Sequence, residues 1–102
     1  MNFDSILNYF EKSAKNGTWD SLYNPKNPHG YSFIVRLHKT INLAGSFKNK
    51  KVIDLGCGTG ALIPFVINDG GKYTGIDASQ KMLSEIKKIY PAYVNHKDVS
   101  LV

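Results

Sequence analysis

The residues of this chain best suited to chemistry lie in one array, from Asp54 through Gly56-Cys57-Gly58-Thr59-Gly60 to Asp77. Glycines at such spacing let the backbone turn tightly and let a ligand approach with no Cβ in the way. A helix that begins just after them offers its unsatisfied amides to an anionic group. By itself the loop reads equally well as a simple turn. Gly56, Gly58 and Ala61 also satisfy G-x-G-x-x-G/A, the spacing that cradles a dinucleotide pyrophosphate, and Asp77 lies near where that pattern expects a ribose-binding acid. Asp54 disfavours the dinucleotide. A carboxylate in a buried strand costs several kcal/mol unless it is paired or solvated by a ligand. A pyrophosphate beside it would add repulsion, whereas a ligand carrying an ammonium group would stabilise it. The close spacing of Gly56, Gly58 and Gly60 also opens the loop more widely than a dinucleotide turn needs.

Elements of regular spacing surround this array. Val52 to Leu55 is a short, mostly apolar run that predicts a buried strand, and the glycines break it. Ala61 to Asn68 has a helical face of Leu62, Phe65 and Val66, with Pro64 tolerated near the first turn, and Gly70-Gly71 ends it. Lys72 to Asp77 predicts a second strand. Ser79 suits an N-cap for a helix bearing Met82, Leu83, Ile86 and Ile89, which Pro91 closes. Ala92 to Asn95 predicts a third, short strand. Upstream, Asn2 to Lys15 reads as an amphipathic helix, and Ile34 to Ala44 as another with Gly45 as its C-cap. Between them, Asn16-Gly17, Asn24-Pro25 and Asn27-Pro28-His29-Gly30 mark a loop.

Strand–helix alternation of this kind predicts an α/β fold with a parallel sheet and flanking helices. Right-handed crossovers then give the strand order 3-2-1. Residues 1–45 are expected to supply helices and a loop that caps the site, and residues 46–102 a partial sheet domain, together forming one compact unit. Ligands of such sheets bind at the carboxyl ends of the strands, where strand order reverses. Here that point is the open edge of the first strand, an edge that invites pairing with a second copy or a partner chain.

Composition narrows the function classes. The chain has 102 residues and a net charge of +5. Its positive charge is scattered lysine with Arg36 as the one arginine, which does not favour nucleic-acid recognition, since base edges are read best by the planar arginine fork. A single cysteine, Cys57, forms no internal disulfide and no metal cluster. No signal-peptide pattern and no membrane-length apolar run is present, so a reducing cytoplasm is the expected location. His29, His38 and His96 read as surface residues, with His29 a conceivable base only if geometry brings it to the site.

Val52-Ile53-Asp54-Leu55-Gly56-Cys57-Gly58-Thr59-Gly60 resembles the first motif of class I S-adenosylmethionine-dependent methyltransferases. Tyr73-Thr74-Gly75-Ile76-Asp77-Ala78-Ser79, followed by Met82-Leu83, resembles the second. The likeness covers about residues 50 to 100, more loosely the N-terminal helices. It implies a Rossmann-like fold of which this chain carries the cofactor-binding half, incomplete beside the family's seven strands. It implies S-adenosyl-L-methionine as cofactor, whose ammonium and sulfonium suit Asp54. Carried over by position, Asp54 and the backbone of Gly56, Cys57, Gly58 and Gly60 would line the methionine end, and Asp77 would accept from both ribose hydroxyls. Ala78 and Met82 would pack on the adenine, although Met82 equally suits a core position. Asp98, at the end of the third strand, would meet the adenine amine, and Val99 would give a backbone amide. Cys57 reads as a small residue rather than a reactive thiol. Tyr23, Tyr31 and Arg36 could reach the cofactor carboxylate, and Trp19 could cover the cofactor or pack on the sheet. The N-terminal helices resemble those of methyltransferases for small molecules. The acceptor and any catalytic base are not assigned.

Overall fold

The computed structural model describes residues 2–16, 21, 23, 26 and 30–102. Helix α1 (Phe3–Lys15) starts at Asn2, whose side chain accepts the Ser5 amide at 2.8 Å, and carries Asp4 in its first turn and Lys12 and Lys15 in its last. Each of these charges complements the helix dipole. Helix α2 (Tyr31–Ala44) stops at Gly45, where φ is +73°. Strand β1 (Lys51–Leu55) leads through the glycine loop into the short helix α3 (Ile63–Asn68), and β2 (Lys72–Ile76) follows. Helix α4 (Gln80–Ile89) begins at Ser79, whose hydroxyl accepts the Met82 amide at 3.1 Å. A four-residue helix α5 (Pro91–Val94) and strand β3 (Val99–Leu101) complete the order.

The sheet is parallel throughout, in the order β1-β2-β3, the arrangement expected from the crossovers. Val52 pairs with Tyr73 and Tyr73 with Val99; Asp54 pairs with Gly75 and Gly75 with Leu101. Those residues share one face of the sheet, since paired positions point the same way and side chains alternate along a strand. Tyr73 forms the core together with Phe47, Cys57, Ile63, Val66, Leu83 and Ile86, and Ile41 and Ala44 of α2 pack against that core. Helix α1 lies across α4 and buries Ser13 and Ala14.

Two expectations are corrected. The third strand is not 92–95. Pro91, with φ preset for a helix, occupies the first turn of α5 instead. Tyr93 is held in that turn by edge-to-face packing on Tyr90 and by its hydroxyl, which donates to Asn68 Oδ1 at 3.2 Å. The strand forms later, at Val99–Leu101, where apolar and polar residues alternate. Strand β1 is also not buried on both faces. Ile53 and Leu55 are 65% and 76% exposed, so among the described residues only the Asp54 face is covered. No helix among the described residues is long and apolar enough to cross a membrane.

Candidate functional site

The site grows from the point where β1 runs out. The amides of Gly56 and Cys57 both donate to the carbonyl of Ile76, at 2.7 and 3.1 Å, which folds the loop over the carboxyl end of β2. Gly58 has φ +55°, a left-handed conformation that suits glycine. Its amide donates to Asp77 Oδ2 at 2.8 Å, and the Ser79 amide donates to Oδ1 at 2.9 Å. Asp77 therefore closes the loop at one end and starts the approach to α4 at the other. Each of its oxygens retains a lone pair for a further donor.

Asp54 stands on the same side. Its Oδ2 accepts the hydroxyl of Tyr73 at 2.7 Å. Burial raises its carboxyl above the ordinary range; the Tyr73 hydrogen bond opposes that rise and the charge of Asp77 adds to it. Burial and the neighbouring Asp54 also raise the Tyr73 phenol. The Cys57 thiol is pushed up to about 12, first by burial and then by Asp54 and Asp77. It is thus protonated and unreactive at neutral pH, and its small volume is what the site uses.

These groups open onto a cavity of about 420 Å³, a size that suits a ligand of cofactor dimensions. Asp54, Asp77 and the backbone of Gly56, Cys57 and Gly58 form one wall, with Met82 beside them. Phe10 of α1 and Phe33, Arg36 and Leu37 of α2 form the other. The Arg36 guanidinium lies 4.5 Å from the centre of the Phe33 ring, and Tyr23 meets the same ring edge-on at 5.9 Å. An elongated ligand would therefore find two carboxylates and one guanidinium around the glycine loop in a single space lined also by aromatic residues.

Six of the residues expected from sequence are brought together here: Asp54, Gly56, Cys57, Gly58, Asp77 and Met82. Met82 serves both readings, since it lines the cavity and is 2% exposed. Gly60 lies behind the wall. A Cβ there would stand 2.7 Å from Ile63 Cδ1 and 3.2 Å from Ile86 Cγ1, so this glycine lets α3 and α4 close together. Ala78 is exposed beside Asp77 and does not line the cavity.

Asp98 and Val99 are elsewhere. Their expected role rested on a strand ending near them, whereas β3 begins there. The carbonyl of Asp98 accepts from the Tyr73 amide, near the amino end of the sheet, and Val99 faces a separate groove with Pro91, Val94 and Leu101. Tyr23 and Arg36 do reach the cavity, while Tyr31 is 74% exposed and outside it. Trp19 and His29 lie outside the described residues. Tyr73 was missed, although a signal existed: a tyrosine two places before a glycine, on a strand paired with the Asp54 strand, can lay its ring along the sheet toward that acid.

Residues 52–100 match the family model described as a methyltransferase domain. The chain is 37% identical over 82 residues to a ubiquinone biosynthesis O-methyltransferase of Pasteurella multocida, covering 80% of this chain and 33% of that protein. It is 42% identical over 64 residues to a tRNA (uracil-O(2)-)-methyltransferase of Kluyveromyces lactis, covering 62% of this chain and 11% of that one. The fold superimposes on the solved complex of DhpI with S-adenosylhomocysteine, with a TM-score of 0.67 and 20% identity, over 97% of this chain and 43% of the other. Over residues 52–100 the chain is thus similar to the methyltransferase-domain family. The fold is Rossmann-like, as its two motifs implied. The chain spans a third or less of the length of the methyltransferases it matches. The names of those two relatives carry acceptors of different chemistry and so leave the acceptor of this chain unassigned.

Proposed function

We propose that the cavity binds S-adenosylmethionine and that this methyltransferase chain serves methyl transfer to a small-molecule acceptor. The observation that carries the cofactor assignment is the placing of two carboxylates, Asp54 and Asp77, beside the glycine loop in one cavity with Arg36. That donor set fits a ligand with an ammonium, a carboxylate and a ribose diol. Asp77 offers each ribose hydroxyl one oxygen. Asp54 faces the ammonium. Arg36 takes the carboxylate, its guanidinium being already held over Phe33. Met82 packs on the adenine. The apolar wall of Phe10, Phe33 and Leu37 keeps water from the reacting end.

The bound cofactor supplies a methyl group on a sulfonium, which a nucleophile displaces in line. The protein's contribution is alignment and exclusion of water, and alignment of this kind is worth about 7–11 kcal/mol. The small-molecule acceptor rests on the N-terminal helices that wall the cavity with aromatic residues and on the scattered lysines, which form no base-reading surface.

Isothermal titration of the 102-residue chain with S-adenosylhomocysteine, with NAD as control, tests this reading. Binding of the former alone supports it. Binding of NAD in preference, or of neither ligand by a folded chain, refutes it.

A further inference from the structure

Resting on that cofactor reading, we infer that Tyr73 is a positioning residue of the site: its phenol fixes the Asp54 carboxylate so that the free oxygen takes the cofactor's ammonium group. Tyr73 enters from the middle of the sheet. Its backbone stands opposite Val52, one same-face position before Asp54, and its ring runs along β2 toward the carboxyl end. The path is open because residue 75 is glycine. A Cβ there would meet Tyr73 Cε1 at 2.9 Å, its hydroxyl oxygen at 3.1 Å and Cys57 Sγ at 2.9 Å. Tyr73 is 1% exposed, so its ring is packed on all sides within the core.

A phenol has one proton to donate, and this one goes to Asp54 Oδ2 at 2.7 Å. Among the described residues no donor reaches Oδ1, and Asp54 lines the cavity. One oxygen is therefore tied back and the other is presented. The groups around Asp54 are Tyr73 on β2, Asp77 beyond it, Cys57 in the loop, and Tyr23 and Arg36 across the cavity. Burial and Asp77 drive Asp54 toward its neutral form, which would no longer attract a cation, and the Tyr73 hydroxyl works against them. Phenylalanine would fill the same space and leave that resistance out.

The test compares two probes, S-adenosylhomocysteine and 5′-methylthioadenosine, which keeps the nucleoside but lacks the amino-acid end. In Tyr73→Phe the first should bind about tenfold more weakly, as expected for a lost hydrogen bond to a charged group, and the second should be unchanged. The loss should deepen as pH falls, because the Tyr73 hydrogen bond is what opposes the rise of the Asp54 carboxyl. Equal weakening for both probes, or no weakening for either, overturns the inference while leaving the cofactor site standing. Binding of neither probe to the wild-type chain overturns the site itself. Should Tyr73→Phe fail to fold, the wild-type chain decides. The Tyr73 hydroxyl proton, bonded to Asp54 Oδ2, should shift in the magnetic resonance spectrum on adding S-adenosylhomocysteine and not on adding 5′-methylthioadenosine, and an equal response to the two refutes the role given to Tyr73.

Discussion

The Asp77 carboxylate is hydrogen-bonded to the amide of Gly58 across 19 positions of sequence, at 2.8 Å, and this bond sets the height of the glycine loop over the sheet. The same carboxylate accepts from Ser79, so loop, strand end and helix start share one anchor. Binding and loop order should then fail together. Asp77→Ala removes both hydrogen bonds proposed to the ribose as well as the Gly58 tie. Its affinity for S-adenosylhomocysteine should fall at least about a hundredfold, given about 1.5–3 kcal/mol for each charge-assisted bond. Asp77→Asn keeps one acceptor oxygen and should lose less. Calorimetry reads the affinities, and amide exchange at Gly58 should quicken in the alanine variant even without ligand.

Gly60 should behave as a core residue despite its place in the binding loop. Its φ is +77°, and an added Cβ would press on Ile63 and Ile86. Left-handed backbone costs a non-glycine residue about 1–2 kcal/mol, and overpacking a filled core about 1–3 more. Gly60→Ala should therefore lower the thermal midpoint clearly, by about 2–5 kcal/mol of stability. An alanine variant that melts with the wild type would mean that α3 and α4 do not close on this position.

What was legible in the sequence follows from what is local. Glycine spacing, the Ser79 cap and the Gly45 stop act within a few residues of themselves, and the start of α4 and the end of α2 lie where expected. Strand order came from handedness alone. The third strand was misplaced because Ala92-Tyr93-Val94 is too short for periodicity to separate strand from helix. What decides it is Pro91 at a helix start and a Tyr93 contact with Asn68, 25 positions away. Asp98 and Val99 went wrong with it, since a shift of strand boundary carries a residue from one end of the sheet to the other. Tyr73 and the aromatic wall of α2 depend on packing between elements distant in sequence.

Asp54 should trade stability for binding. Its carboxyl is raised in the folded state, chiefly by burial. For an acid, that sign means the folded chain holds the proton more tightly than the unfolded one. Stability then falls as pH rises from the ordinary value of 3.8 through the raised one. Asp54→Asn keeps an oxygen for the Tyr73 hydroxyl and removes the charge. The ligand-free variant should melt higher than the wild type at pH 7 and bind S-adenosylhomocysteine more weakly. A lower midpoint would show that the carboxylate is stabilised by more than Tyr73.

Asp69 has the opposite sign and lies away from the cavity. Its Oδ2 accepts the Phe47 amide at 2.6 Å and the Ser46 hydroxyl at 3.1 Å, joining the end of α3 to the segment that leads into β1. The Phe47 amide is the main cause that lowers its carboxyl below 3.8, with Ser46 second. A depressed acid stabilises the fold above its unfolded value, and the contribution is lost as pH falls through the folded one. Denaturation of wild type and Asp69→Ala across pH should show the full gap at pH 5 and above. Below about pH 4 the gap should narrow, as the carboxylate is protonated in both states. Because Asp69 is exposed, added salt should shrink the charge-dependent part of the gap, while the part due to the Phe47 hydrogen bond persists. A gap independent of pH would assign the whole effect to helix-end geometry and none to the ionised carboxylate.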